Sequence, residues 1–338
     1  MASDLLVRPP EEGARLIALG YLDQATEALP RLKDAEDKEA LHDFRVALRR
    51  LRSCLRAYRR PLQDSVPKKL AKHLKQLARA TGPGRDAEVQ LEWLRGRRSH
   101  LGSQQRQGHA WMQARLNSRM KEAYGELQEE IERDFPDIER DLRRNLSIYR
   151  TKIFLDPNVV PPTLGNVTAE ILHDQVAELE DHLAKVRRAD DEEEAHRARI
   201  SAKRVRYLLE PFVEELPEAS AVVKRFKALQ DQLGDLHDSH MLAKELVEAL
   251  DEAATERGRR LLELTLVSDP DNTRLRAERR RSRESGLIAL ARQNRDRRDE
   301  LFANLEAEWL HGKAAGFLKE VAALEEKLAG DQYAPPSV

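Results

Sequence analysis

LHDFRVALRRLRSCLRAYRR, residues Leu41 to Arg60, is the stretch that decides the fold. In a helix of 3.6 residues per turn, side chains three and four residues apart share one face. Basic residues follow this spacing at His42, Arg45, Arg49, Arg52, Arg56 and Arg59. One residue earlier, an apolar seam repeats it at Leu41, Phe44, Leu48, Leu51, Leu55 and Tyr58. The pattern predicts an amphipathic helix whose seam enters a core and whose cationic stripe faces anions.

The cationic stripe lacks the acidic residues that a solvated helix face normally carries. Asp43 is the only acid among these twenty residues, so pairing at i,i+4 cannot offset the repulsion between the arginines. The negative charge must therefore come from outside the helix. Two sources remain open, namely a polyanionic ligand and acidic segments of the same chain such as 126–134 and 190–194.

The composition favours an all-α protein. Of 338 residues, 40% are hydrophobic, 35% charged and only 5% aromatic. Leu, Ala, Glu and Arg dominate, and these residues favour helix over strand. A net charge of −1 argues against a protein that is basic all over its surface. The single cysteine, Cys54, excludes a disulfide framework, and no apolar run approaches the roughly 20 residues of a membrane span. We therefore expect a cytoplasmic protein.

Several further helices are predicted on either side of the cationic helix, which should occupy 37–60. The first, 12–29, should stop at Pro30, and a third, 67–80, should break at Thr81 to Gly84. A fourth should open at Arg85, with Asp86 capping it. The polar helical region 97–149 should be divided at Pro136, and the last third should be interrupted at 268–272.

The cationic stretch recurs in the second half of the chain. His42, Arg45, Val46, Arg49, Arg50 and Arg52 match, 154 residues later, His196, Arg199, Ile200, Lys203, Arg204 and Arg206. Downstream, Lys75, Leu77, Gly82 and Asp86 match Lys227, Leu229, Gly234 and Asp238. This indicates an internal duplication and predicts two helical bundles related by a pseudo-two-fold axis. The halves would be 12–153 and 167–330, with a linker at 154–166 and tails at 1–11 and 331–338.

These repeated segments resemble a known family. They resemble the CHAD domain, the conserved histidine α-helical domain. The segments that carry the resemblance are HDFRVALRR and GPGRDAEV in the first half and HRARISAKRVRYLLE and LGDLHDSHML in the second. The resemblance implies two four-helix bundles facing a basic cavity that binds inorganic polyphosphate, without catalytic activity. The ligand-binding residues it implies are His42, Arg45, Arg49, Arg50, Arg52, Lys72, Lys75, His196, Arg199, Lys203, Arg204, Arg206, Lys224 and Lys227. Arg56 and Arg59 are left out because the second stripe ends at Glu210.

The other readings of the charged residues are weaker. Phosphate-loop, HExxH, GxSxG and paired-cysteine motifs are absent, so we expect neither an enzyme nor a cofactor. Asp86 and Asp238 are better explained as helix caps than as catalytic carboxylates. His237 and His240 could begin a metal site, but no third or fourth ligand can be named from the sequence. A nucleic-acid-binding protein and a scaffold with internally paired charges stay as alternatives. We expect polyphosphate as the partner, with association to polyphosphate granules and no membrane contact; a homodimer stays open.

Overall fold

The computed structural model describes residues 4–34, 37, 39–148, 160–267, 273–280 and 283–330. That part of the chain is almost entirely helical and contains no strand, which confirms the all-α class. Two short 3₁₀ turns occur at Arg98–His100 and Glu210–Phe212. The helices are α1 (Pro10–Arg31), α2 (Ala40–Ala57), α3 (Lys68–Ala80), α4 (Gly82–Arg95), α5 (Gln105–Leu146), α6 (Leu164–Lys185), α7 (Glu192–Leu209), α8 (Pro217–Val267), α9 (Thr273–Arg280), α10 (Glu284–Glu308) and α11 (Ala315–Ala329).

The apolar seam of α2 is buried as the pattern predicts. Phe44, Leu48 and Leu51 are fully buried, and the ring of Phe44 meets that of Phe135 in α5 edge to face, with centroids 5.0 Å apart. In the second half, Phe226 of α8 meets Phe317 of α11 edge to face, with centroids 4.7 Å apart. Each large ring contributes about 1.5–3 kcal/mol through burial. The cationic face of α2 is therefore held in a fixed direction.

The main hydrophobic core is continuous across both predicted halves. It joins α1, α2, α3, α5, α6, α7, α8, α10 and α11. A second, smaller core is formed where α4 and α5 meet α8 and α10, around Leu91, Met112, Leu242 and Leu287. Elements from both halves of the sequence thus share their cores. The pseudo-two-fold relation between the halves, and the division at 154–166, stay predictions.

Two glycines set the crossing of α5 and α10. A Cβ at Gly108 would overlap the carbonyl oxygen of Arg283, and one at Gly286 would overlap that of Gln105. Only glycine permits this backbone approach. The crossing fixes α5 against the second half of the chain.

Several predicted helix boundaries were wrong. Pro30 lies in the last turn of α1 instead of stopping it. Pro136 lies inside α5, which runs unbroken for 42 residues. An internal proline costs about 3 kcal/mol, but the neighbouring Phe135 and Ile138 are buried and offset this cost through packing. α2 is also shorter than 37–60 at both ends.

The capping role predicted for the two aspartates was wrong. α4 begins at Gly82, only one residue after α3 ends, with Pro83 in its first turn, where proline is well tolerated. Asp86 therefore lies one turn inside α4, and Asp238 lies in the middle of the 51-residue α8. Neither carboxylate can cap a helix.

α6 begins inside the predicted linker 154–166. Thr163 and Asn166 form a capping box at its N-terminus, so that α6 begins at Leu164. The last residues of the predicted linker, 164–166, are consequently helical. Residues 154–159 of that linker, the interruption at 268–272 and the tail 331–338 lie outside the described residues. Among the described helices, none combines the length and apolar composition needed to cross a membrane.

Candidate anion-binding site

α2 and α7 pack against each other and bring their cationic stripes together. Lys203 of α7 shows this most clearly, because its pKa is lowered to about 8. Desolvation is the largest cause, followed by the positive charges of Arg199 on its own helix and of Arg49 and Arg52 on α2. Such interactions require short distances. The charges of the two stripes therefore lie close together, and we call the region between the stripes the cleft.

Five basic residues of the cleft have no carboxylate partner. Within the described residues, no Asp or Glu lies at ion-pair distance from Arg45, Arg49, Arg52, Arg199 or Lys203. Arg45 is only 9% exposed, and desolvation lowers the pKa of both Arg45 and Arg52. Buried cations without partners are costly. An anion bound at ion-pair distance would offset this cost.

The guanidinium groups also leave hydrogen-bond donors unused. The Nε atoms of Arg45, Arg49 and Arg199 are buried and have no acceptor among the described residues. A buried donor without an acceptor costs about 1–3 kcal/mol. Phosphate oxygens would satisfy these donors, since arginine presents a fork that matches their geometry.

Three other residues of the predicted site are paired inside the protein. Glu210 accepts a 2.7 Å hydrogen bond from Nε of Arg50 and lies 3.3 Å from Nε of Arg206. Glu178 of α6 accepts from Arg204 at 3.0 Å. For these three arginines the structure agrees with the alternative in which charges are paired internally. Paired and unpaired arginines thus occur on the same two helices.

Four predicted lysines lie on α3 and α8 instead of on the two stripe helices. Lys72 and Lys75 are exposed on α3, and Lys224 and Lys227 are exposed near the start of α8. None of the four has a carboxylate at ion-pair distance among the described residues.

The histidines occupy unlike environments. His42 is exposed at the start of α2 and lines, with Arg45 and Tyr124, a cavity of about 670 Å³. His196 is half-buried and stacks on His237 of α8, with ring centroids 4.5 Å apart. Desolvation, and then the charge of Arg199, lowers the pKa of His196 and brings that of His237 to about 4. His196 is consequently a neutral donor near pH 7.

The segment Asp190 to Glu194 borders His196, so this end of the stripe meets acidic side chains. Nε2 of His240 donates to the carbonyl oxygen of Ala189 at 2.8 Å. Among the described residues, no group of three or more potential metal ligands is gathered at one point.

Asp86 and Asp238 meet between the stripes, a placement that the sequence did not reveal. Asp86 is close to Arg45 and Arg199, while Asp238 is close to Arg199 and to Asp86 itself. Desolvation raises the pKa of both carboxyls, and the nearby arginines oppose that rise. Only the packing of α4 on α8 brings the two motifs together. The only sequence signal was their equivalent position in the repeat.

Gly234 gives Arg199 its place beside this carboxylate pair. Nε of Arg199 lies 3.5 Å from where a Cβ of residue 234 would stand. A methyl group would make ordinary contact there, whereas any longer side chain would push Arg199 away. The glycine that recurs in the repeat therefore has a packing reason in the second half. At Gly82, by contrast, a Cβ would meet no atom of another described element within 4 Å.

Comparisons with known proteins agree with this architecture. A family model of the CHAD domain matches residues 16–247. The crystal structure of the CHAD domain from the plant Ricinus communis is 21% identical, covers 94% of each chain and has a TM-score of 0.59. PptA from Streptomyces chartreusis is 15% identical, covers 85% of this chain and 99% of its own, and has a TM-score of 0.47. The plant structure shows the same fold, and the second likeness is too weak for any argument. No curated protein matches the chain.

Proposed function

This chain belongs to the CHAD domain family, which is associated with polyphosphate binding, and we propose that it binds inorganic polyphosphate in the cleft between α2 and α7. The observation that supports the proposal most strongly is the unpaired state of five cations on two facing helices. Arg45, Arg49 and Arg52 come from α2, and Arg199 and Lys203 come from α7.

The chemistry of polyphosphate fits these donors. The ligand carries close to one negative charge per phosphate unit and has no bases to read or rings to stack on. A row of arginine forks on a rigid helix can meet successive phosphates, and stripe residues rise about 5–6 Å from one to the next. Lys203 adds a point charge from the opposite side. A chain held between the two helices would satisfy the buried donors of both.

We propose a binding module without catalysis or cofactor. Its activity would be to attach to polyphosphate and, in the cytoplasm, to hold the protein at polyphosphate granules. Arg50, Arg204 and Arg206 would act from behind the ligand-facing residues, because they already contact Glu210 or Glu178. His196 would donate one hydrogen bond in its neutral form.

Charge reversal inside the cleft tests the proposal. The variant Arg49→Glu/Lys203→Glu should lose long-chain polyphosphate binding while its helical circular dichroism is retained. A control with the same change in charge is Arg260→Glu/Lys319→Glu, since both residues are exposed and have no carboxylate partner among the described residues. Unchanged affinity in the cleft variant would disprove the site. Displacement of polyphosphate by RNA or duplex DNA at equal phosphate concentration would favour the nucleic-acid alternative.

A further inference from the structure

α3, which packs on α2, presents a second cationic surface. Its sequence, KKLAKHLKQLARA, contains no acidic residue. Lys68, Lys72, Lys75 and Arg79 follow the same alternation of three and four residues as the stripe of α2, and all four are exposed. Lys69 lies beside them. We call these five residues the α3 ridge.

The α3 ridge is not a surface whose charges are balanced by neighbours. Exposed cations elsewhere commonly have partners, as Arg225 does with Glu320 at 3.1 Å and Lys244 with Glu192 at 2.6 Å. Within the described residues, no member of the α3 ridge has a carboxylate at ion-pair distance. A set of adjacent unpaired cations repels itself, and this cost is relieved when an extended anion lies along it.

Two members of the ridge also oppose the helix dipole. Lys68 and Lys69 occupy the first turn of α3, which holds no acidic residue. The N-terminus of a helix carries partial positive charge, so that lysine there is unfavourable and glutamate favourable. Helix stability alone would favour acidic residues at positions 68 and 69. These positions therefore carry charge at the expense of helix stability.

The ridge is continuous with the cleft. The positive charge of Arg79, at the end of α3, is the second cause, after desolvation, of the lowered pKa of Arg52. Arg52 in turn acts on Lys203 across the cleft. A line of cations therefore leads from Lys203 through Arg52 and Arg79 to the start of α3. From Lys68 to Arg79 the helix rises about 16 Å.

We propose that the α3 ridge is a second, outer segment of the polyphosphate site, which is engaged only by chains long enough to extend out of the cleft. The inference rests on the proposed function of the cleft. A short chain would occupy the cleft alone, whereas a long chain would bind both segments at once and gain affinity from their linkage. The protein would thereby select long-chain polyphosphate over tripolyphosphate.

Lipid membranes fit the α3 ridge less well. A basic amphipathic helix binds a membrane by inserting its apolar face. The apolar face of α3 is already in the core, because Leu74 and Leu77 are each 1% exposed. Only the basic side chains of α3 remain available to bind a ligand. An extended, flexible chain of phosphates can follow them along the helix.

The test measures binding of tripolyphosphate and of long-chain polyphosphate to the full chain and to Lys68→Glu/Lys69→Glu. Both substitutions suit the first turn of a helix, so the melting temperature should stay the same or rise. Tripolyphosphate affinity should be unchanged, while long-chain affinity should fall about tenfold and depend less steeply on salt. Arg260→Glu/Lys319→Glu, with the same change in charge, should leave both affinities unaltered.

The possible outcomes separate the two proposals. Equal affinity of the variant and the wild type for long chains would overturn the role of the ridge while leaving the cleft proposal intact. An equal loss for both ligands would also overturn it, because the ridge would then not be a separate segment. Absence of binding to either ligand in the wild type would overturn both proposals. Tighter binding of the ridge to anionic phosphatidylserine vesicles than to long-chain polyphosphate would assign it to membranes instead.

Discussion

Arg50 and Glu210 form an ion pair of 2.7 Å that joins α2 to the end of α7. The offset of 154 residues that relates the two stripes assigns Arg204 to Arg50 and Arg56 to Glu210. Arg56 and Arg204 are also neighbours, and the charge of Arg204 is the second cause, after desolvation, of the lowered pKa of Arg56. One side of the helix crossing therefore carries an ion pair where the other carries two cations. The two equivalent positions of the repeat therefore differ in charge where α2 and α7 cross.

Arg49 and Arg50 are adjacent in sequence but should differ in effect. Arg50→Gln removes an ion pair between α2 and α7 and should lower the free energy of unfolding by about 1 kcal/mol, with at most about threefold weaker polyphosphate binding. Arg49→Gln removes a free fork and should weaken binding about tenfold without loss of stability. Urea denaturation and titration calorimetry measure the two effects. Equal loss of affinity in both variants would contradict the distinction.

Lys203 should limit the stability of the unliganded protein. Its pKa falls from 10.5 to about 8 on folding, so the folded state disfavours the charged form. The unfolded state binds more protons between these two values, and stability should rise as pH increases from 8 to 10.5. Lys203→Gln should remove that rise and increase stability at pH 7 by up to about 3 kcal/mol. Thermal melts at several pH values test this, and a parallel rise in the variant would contradict it.

Polyphosphate binding should be accompanied by proton uptake above pH 8. Negative phosphates beside Lys203 favour its charged form and should raise its lowered pKa again. At pH 8.5, calorimetric binding enthalpies should therefore depend on the ionisation enthalpy of the buffer, and this dependence should be smaller in Lys203→Gln. Identical enthalpies in phosphate-free buffers of different ionisation enthalpy would argue that the ligand does not reach Lys203.

The carboxylate pair should weaken anion binding at neutral pH. Asp86 and Asp238 place negative charge beside Arg45 and Arg199, where phosphates would lie. Asp86→Asn/Asp238→Asn should increase polyphosphate affinity severalfold at pH 7. The gain should vanish in acid, because the raised pKa values leave the wild-type carboxyls neutral there. A lower affinity of the double variant would show instead that the carboxylates orient the arginines.

The same pair provides a stability measurement with a defined sign. The pKa of each carboxyl is raised on folding, so the folded state binds more protons than the unfolded state above the ordinary value of 3.8. Stability from these groups should therefore fall as pH rises from 3.8 through the raised values. The double asparagine variant should be the more stable protein at pH 7 and no more stable below pH 3.8. Chemical denaturation at both pH values compares them.

The period of the sequence was sufficient to predict the main elements of the fold and the faces of α2 and α7. Phe44 and Leu48 entered the core as the seam required, and Arg49 faced the other stripe. Helix ends were less predictable, because packing around Phe135 carried α5 through Pro136. Periodicity assigns a residue to one face of its helix, but it does not predict which residues of other helices contact that face.

For the same reason, the division of the stripes into paired and unpaired arginines was beyond the sequence. Arg50 and Arg204 differ from Arg49 only through Glu210 and Glu178, which belong to other elements. The meeting of Asp86 with Asp238 likewise depends on the contact of α4 with α8. Side chains that are brought together from distant parts of the chain have no shared local pattern.

The unpaired cations between α2 and α7 have a consequence for the lifetime of the protein. Without a bound anion, Arg49, Arg52 and Lys203 oppose the packing of the helices that carry them. A ligand that binds only the folded state adds stability in proportion to the logarithm of its concentration. The empty protein would then be unfolded and degraded faster than the occupied one. Its abundance in a cell would follow the supply of polyphosphate without any separate regulator.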